Sequence, residues 1–148
     1  MVEICYVNLY KNYMTSHVSY QGELRTLATH LQSGSNFETD APTDNQGKGE
    51  RFSPTDLIGT SLAACMVTTM AIRGREFEER LRGLVVKTEK IMSAAPRKIS
   101  QINLEFEWPL DVHFLEEEKA KLNEIALSCP VKESIHPSIQ LNINYNWR

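Results

Sequence analysis

Ser53-Pro54-Thr55-Asp56-Leu57-Ile58-Gly59-Thr60-Ser61-Leu62-Ala63-Ala64-Cys65-Met66-Val67-Thr68-Thr69-Met70-Ala71-Ile72 is the stretch that decides how the rest of the chain must fold. It opens with the chemistry of a helix start. Ser53 is a capping residue, and Pro54 falls at the first helical position, where its missing N–H costs nothing. Asp56 completes a capping-box pattern in the turn where the helix dipole favours negative charge. From Leu57 to Ile72 no residue is charged. A helix without a charged face needs cover on every side. About 16 uncharged residues fall short of the roughly 20 that span a bilayer, so the pattern predicts a core helix with one thiol, Cys65, near its middle.

The whole chain has 148 residues, 41% of them hydrophobic, and a formal net charge of −3. That suits one globular domain over residues 1–148 with a sizeable core. Acidic and basic residues are interspersed, which argues against nucleic-acid and membrane partners. Met1-Val2-Glu3-Ile4-Cys5 lacks the basic and apolar regions of a signal peptide. Three cysteines without close spacing make neither a disulfide framework nor a zinc motif. The expectation is a cytoplasmic protein, in which paired thiols are catalytic or redox-sensing.

Outward from the helix, residues 3–10 and 14–20 are rich in Ile, Val and Tyr and predict a hairpin. A third strand is expected over Glu23 to Leu31 and a short one around Asn36 to Thr39. Ala41 to Arg51 is a loop, in which Gly47-x-Gly49 is too little for a phosphate cradle and reads as a flexible connection. Beyond the helix come a polar helical tail, Glu76 to Arg82, and strands Leu84 to Met92 and Ile99 to Trp108 about an Ala94–Arg97 turn. Phe114 to Ser128 has helical spacing and ends at Pro130. Ile139, Leu141, Ile143, Tyr145 and Trp147 alternate with polar residues as a final strand. Without regular β–α alternation, the class is α+β with antiparallel sheets.

Cys65 lies about three turns into its helix, too deep for the N-terminal dipole to ionise it. Cys129 follows the second helix, at the negative end of the dipole. If either is a nucleophile, it is Cys65 with a cation brought from elsewhere, and Cys129 suits attack on oxidised Cys65. The alternative is plain packing, since free cysteine is commonly buried; Cys5 reads as packing or surface. His17, His30, His113 and His136 do not converge in sequence and match no metal-ligand spacing.

Pro54-Thr55-Asp56-Leu57-Ile58 through Ala63-Ala64-Cys65 resembles the Pro-x-(Glu/Asp)-Leu-Leu…Ala-Ala-Cys signature of the OsmC/Ohr superfamily, the osmotically inducible and organic hydroperoxide resistance proteins. Cys129-Pro130-Val131 with Ser134-Ile135 resembles its second signature. Gly22-Glu23-Leu24-Arg25 and Thr39-Asp40-Ala41-Pro42 look like the OsmC-like branch. The resemblance implies an OsmC-like fold: an intertwined homodimer whose antiparallel sheets pack around two main helices. It implies a thiol peroxidase acting in oxidative stress, with Cys65 attacking the hydroperoxide and Cys129 resolving the product. It further implies an arginine beside the thiolate, a dithiol or lipoylated reductant, and no permanently bound cofactor or metal. Arg25 matches that arginine best, with Arg51 the alternative. One departure stands out: hydroperoxide-resistance members carry a glutamate after the helix proline, where this chain has Thr55. About nine residues at 100° each turn Asp56 away from Cys65, and Glu50 is the other carboxylate within sequence reach.

Two further readings follow from the same residues. A noncatalytic dimeric relative would keep the fold and bind a small hydrophobic ligand near Cys65. A Cys–His hydrolase is disfavoured, because no oxyanion-hole motif appears.

Overall fold

A computed structural model describes residues 14–148, which fall into two compact units divided between Pro54 and Thr55. The strand expected over residues 3–10, and Cys5 with it, lies outside the described residues.

The first unit is an antiparallel sheet in the order β1 (Ser16–Gly22), β2 (Arg25–His30), β3 (Asn36–Asp40). β1 reverses into β2 through Glu23 and Leu24, whose φ angles of 48° and 62° are both left-handed. That is the twist a two-residue hairpin demands, so β2 starts at Arg25 rather than Glu23. After β3 the chain makes a 3-10 turn over Thr43–Asn45. The Ala41 N–H donates to the Leu24 carbonyl at 3.0 Å, and the Asn45 and Gly47 N–H groups to the Pro42 carbonyl at 2.9 and 3.0 Å. A Cβ on Gly47 would lie 1.6 Å from the Ala41 carbonyl oxygen. The glycine-rich stretch is therefore a packed loop and not a flexible connection.

The second unit is built on α1 (Pro54–Arg73), packed on a sheet of β4 (Val85–Ala94), β5 (Arg97–Glu107) and β6 (Gln140–Asn144). Gly59, Leu62, Ala63, Met66, Thr69 and Met70 form one buried stripe at helical spacing. It shares a core with Ile102, Leu104 and Phe106 of β5. A Cβ on Gly59 would stand 3.8 Å from Ile102 Cγ2 and from Thr88 Cβ, ordinary contact that marks where the helix crosses the sheet. By length and hydropathy alone α1 qualifies as a membrane span. The stripe seated in its own sheet accounts for that composition in a globular chain. Beside this stripe Ile58 and Ile72 are 39% and 69% exposed, uncovered by the other described residues.

After α1 come a 3-10 turn over Arg75–Phe77, α2 (Glu78–Leu81), then β4 and β5, α3 (Glu116–Leu127), α4 (Pro130–Ser134) and β6. The Arg80 guanidinium lies over the Phe77 and Phe114 rings at 5.1 and 4.6 Å and pairs with both Glu118 oxygens at 3.0 and 2.7 Å. Glu118 also accepts from the Leu115 N–H at 2.9 Å, which sets the start of α3 at Glu116 rather than Phe114. Pro130 opens a new helix besides ending the old one, because its fixed φ suits a first helical position.

The α+β class holds, and β1-β2-β3 and β4-β5 are antiparallel as expected. The last pairing corrects the all-antiparallel expectation: β6 runs parallel to β5, with Ile102 opposite Leu141 and Leu104 opposite Ile143. A parallel neighbour requires a long crossover, and α3 with α4 provides it. β6 ends at Asn144 although the alternation continues to Trp147. There the Trp108 indole N–H donates to the Tyr145 carbonyl at 2.5 Å, and Trp147 stacks on Trp108 at 4.6 Å. Aromatic packing preserves the alternation where the ladder stops.

The packed loop makes a direct prediction. Gly47→Ala forces atoms into the Ala41 carbonyl and should destabilise the chain by about 1–3 kcal/mol, read as a lower urea midpoint at unchanged slope.

Candidate thiol site

Cys65 sits mid-helix at the edge of the buried stripe of α1 and is partly exposed, whereas Cys129 is fully buried. α3 delivers Cys129 by a tight exit. The Ser128 hydroxyl donates to the Ile125 carbonyl at 2.7 Å, and the Cys129 N–H to the Ala126 carbonyl at 3.2 Å. Cys129 then becomes the N-cap of α4, its sulfur accepting from the Lys132 N–H at 3.4 Å. Cys65 packs against the core group that contains Cys129, so the fold places the two free thiols in one neighbourhood.

Burial pushes the Cys129 thiol above its ordinary range; the Lys132 N–H partly offsets this, and Cys65 adds to it. Cys129 is thus a poor thiolate, as its place after α3 suggested, but for a different reason. The short helix it caps favours the anion, and desolvation outweighs that help.

Tyr145 was read from sequence only as part of an apolar face. Its ring packs against Phe106 and Trp147, with centroids 4.7 and 5.0 Å away. Its hydroxyl is buried without a hydrogen-bond partner among the described residues. Burial, then the neighbouring Cys129, pushes this phenol up to about 12. A tyrosine at the end of an apolar alternation was the available signal.

Arg25 belongs to the other unit, at the first position of β2. Its Nε and Nη2 grip Asp40 Oδ1 and Oδ2 at 2.6 and 2.8 Å, and Nη2 also reaches Glu50 at 2.8 Å. The Glu50 N–H donates to Asp40 Oδ2 at 3.1 Å. Arg25 is held above its ordinary value first by Asp40 and then by Glu50, and Asp40 is held below its own by Arg25. Glu50 is within sequence reach; Asp40, quoted above only as part of a motif, lies directly opposite Arg25 in the β2–β3 register. Arg51 is engaged by Glu38 at 2.8 Å. Asp56 pairs with Lys90 of β4. Among the described residues, no three His, Cys, Asp or Glu side chains converge as a metal site requires.

A family model described as OsmC-like protein matches residues 47–144. A structure from Psychrobacter arcticus 273-4, described as an osmotic stress induced and detoxification response protein, is 43% identical with a TM-score of 0.84, covering 92% of this chain and 98% of that one. An organic hydroperoxide resistance protein OsmC from Legionella pneumophila shares the fold at 16% identity and a TM-score of 0.68, over 90% of this chain and 98% of its own. The organic hydroperoxide resistance protein OhrB of Bacillus subtilis is similar at 15% identity and a TM-score of 0.55, over 88% and 97%. No curated protein sequence matches.

The Arg25 clamp has a pH signature. Asp40 has a lowered pKa when folded, so it stabilises the fold while ionised and loses that contribution as pH falls through the lowered value. Melting curves of Asp40→Asn should lie several degrees below wild type at neutral pH. The gap should close as pH drops below the ordinary aspartate value of 3.8.

Proposed function

This chain belongs to the OsmC-like family, and from that premise we propose that it is a thiol-dependent hydroperoxide reductase. One observation carries the reading: a partly exposed cysteine on one helix packs against the core group that holds a sealed cysteine capping another. The first thiol of such a cycle must meet substrate, and the second must stay protected until the first is oxidised.

In this reading the Cys65 thiolate attacks the peroxide O–O bond. An S–O bond forms, the O–O bond breaks, and the alkoxide takes a proton and leaves as an alcohol. Cys129 then displaces hydroxide from the sulfenic acid, giving a disulfide and water. A dithiol or lipoylated protein returns both thiols. Arg25 is assigned to favour the Cys65 thiolate, oriented by Asp40 and Glu50 in place of the glutamate absent at position 55. Organic hydroperoxides are the substrate class of choice because the Legionella and Bacillus relatives are named for resistance to them. We place the reaction in the cytoplasm and in a homodimer. The uncharged outer face of α1, with Ile58 and Ile72 exposed, is the surface a second copy would cover.

A noncatalytic binding protein is the second reading. It draws on a groove of about 630 Å³ between α3 and β6, walled by Leu127, Leu141, Ile143 and Trp147, a size that accepts a small hydrophobic ligand.

Peroxide consumption with a dithiol separates the two. Wild type should turn over cumene hydroperoxide, and Cys65→Ser should lose at least about a hundredfold. Cys129→Ser should complete one turnover and accumulate Cys65 sulfenic acid. Peroxide that persists over reduced Cys65 would leave the binding reading. Arg25→Ala should slow Cys65 alkylation about tenfold at neutral pH, with Arg51→Ala having less effect. Sedimentation at micromolar concentration should give twice the chain mass, and a folded monomer would remove the dimer from the proposal.

A further inference from the structure

Tyr145 carries the buried side-chain polar atom that lacks a hydrogen-bond partner among the described residues. Phenylalanine would fill the same space without leaving a donor desolvated. The hydroxyl is sealed from water although its ring borders the groove between α3 and β6. The ring lies between Phe106 and Trp147, nearly parallel to the latter at 13°, and the backbone is held by the Trp108 indole through the Tyr145 carbonyl.

Tyr145 packs against the core group that contains Cys129, near enough for a charge on that sulfur to raise the phenol. In the reduced state Cys129 is a protonated thiol, a weak acceptor, and the hydroxyl makes no hydrogen bond to it. A thiolate is a strong, charge-assisted acceptor. The backbone N–H groups of Lys132 and Val131 already favour the anion on Cys129 but do not outweigh its burial.

We propose that Tyr145 is a positioning residue for the thiol pair: its hydroxyl turns to the Cys129 sulfur and donates a hydrogen bond as that sulfur becomes the attacking thiolate. The inference rests on Cys129 being the resolving thiol of the proposed cycle. In the step concerned, the Cys129 sulfur forms the S–S bond and the Cys65 S–O bond breaks. The hydroxide that leaves is protonated by the proton Cys129 gave up, so one water is released. Tyr145 keeps its own proton throughout. The orphaned hydroxyl of the resting state is then a donor held ready for an acceptor that exists only during turnover.

The test compares wild type with Tyr145→Phe, both in a Cys5→Ser background so that Cys65 and Cys129 are the remaining thiols. Reaction with 5,5′-dithiobis(2-nitrobenzoate) needs no peroxide. Cys65 releases a first thionitrobenzoate, and Cys129 releases a second by displacing the mixed disulfide. The first phase should be unchanged in Tyr145→Phe and the second slowed about tenfold. Melting temperature should be equal or higher, because an unpartnered polar atom has been removed. Equal second phases would overturn the inference, since an idle packing hydroxyl predicts that result. So would release of a single equivalent by wild type. One equivalent of cumene hydroperoxide gives the second arm. If it leaves Cys65 reduced while the second thionitrobenzoate phase still depends on Tyr145, the peroxide reading falls and the assignment of Tyr145 stands.

Discussion

Leu62, Met66 and Met70 of α1 share one core with Ile102, Leu104 and Phe106 of β5, and burial of this stripe governs the second unit. Each such side chain contributes roughly 1.5–3 kcal/mol when fully buried, whereas a helix cap contributes about 1 kcal/mol. The capping chemistry at Ser53 to Asp56 therefore selects where α1 begins, and the stripe determines that α1 stays helical and where it lies. Cys65 sits at the margin of that stripe, which is why it is partly exposed while its neighbour Met66 is sealed. The difference between the two thiols is thus a by-product of helix phase: the same packing that buries Met66 leaves Cys65 half open.

Among the described residues of the first unit no apolar side chain is fully buried, and ion pairs hold it instead. Arg25 is held by two carboxylates of different standing. Asp40 is nearly inaccessible and grips the Nε–Nη2 edge with both oxygens; Glu50 is 58% exposed on the loop and touches only Nη2. An exposed partner is screened by water and adds little firmness, so the guanidinium's orientation is set from β3. Gly47 keeps the loop close enough for the Glu50 backbone to reach Asp40.

Features written in local patterns were legible in the sequence. The uncharged run from Leu57 to Ile72 announced a core helix, and the alternation that begins at Ile139 announced a final strand. Both cysteines were marked by their motifs, and both pack in one core. What escaped depended on tertiary placement. The direction of β6 is set by the route of α3 and α4, which alternation cannot report. Cys129 as the cap of α4 required knowing that Pro130 begins a helix as well as ending one. Asp40 could be reached only by counting the register of the β2–β3 hairpin back to Arg25. Tyr145 looked like one more apolar position, because a buried hydroxyl without a partner is a property of the packed chain. Thr55 and Asp56 drew attention through the motif, yet Asp56 is engaged by Lys90.

The parallel pairing of β5 with β6 imposes an order of events on a chain emerging from the ribosome. β4 and β5 are neighbours in sequence and can zip together as soon as both are out. The second edge of β5 must then wait while α3 and α4 are made, because its partner is residues 140–144. During that interval an unpaired strand, apolar on one face, offers its backbone to any passing extended segment. Glu105 and Glu107 on the outer face of that strand place negative charge beside the open edge, a gatekeeping arrangement for the nascent chain.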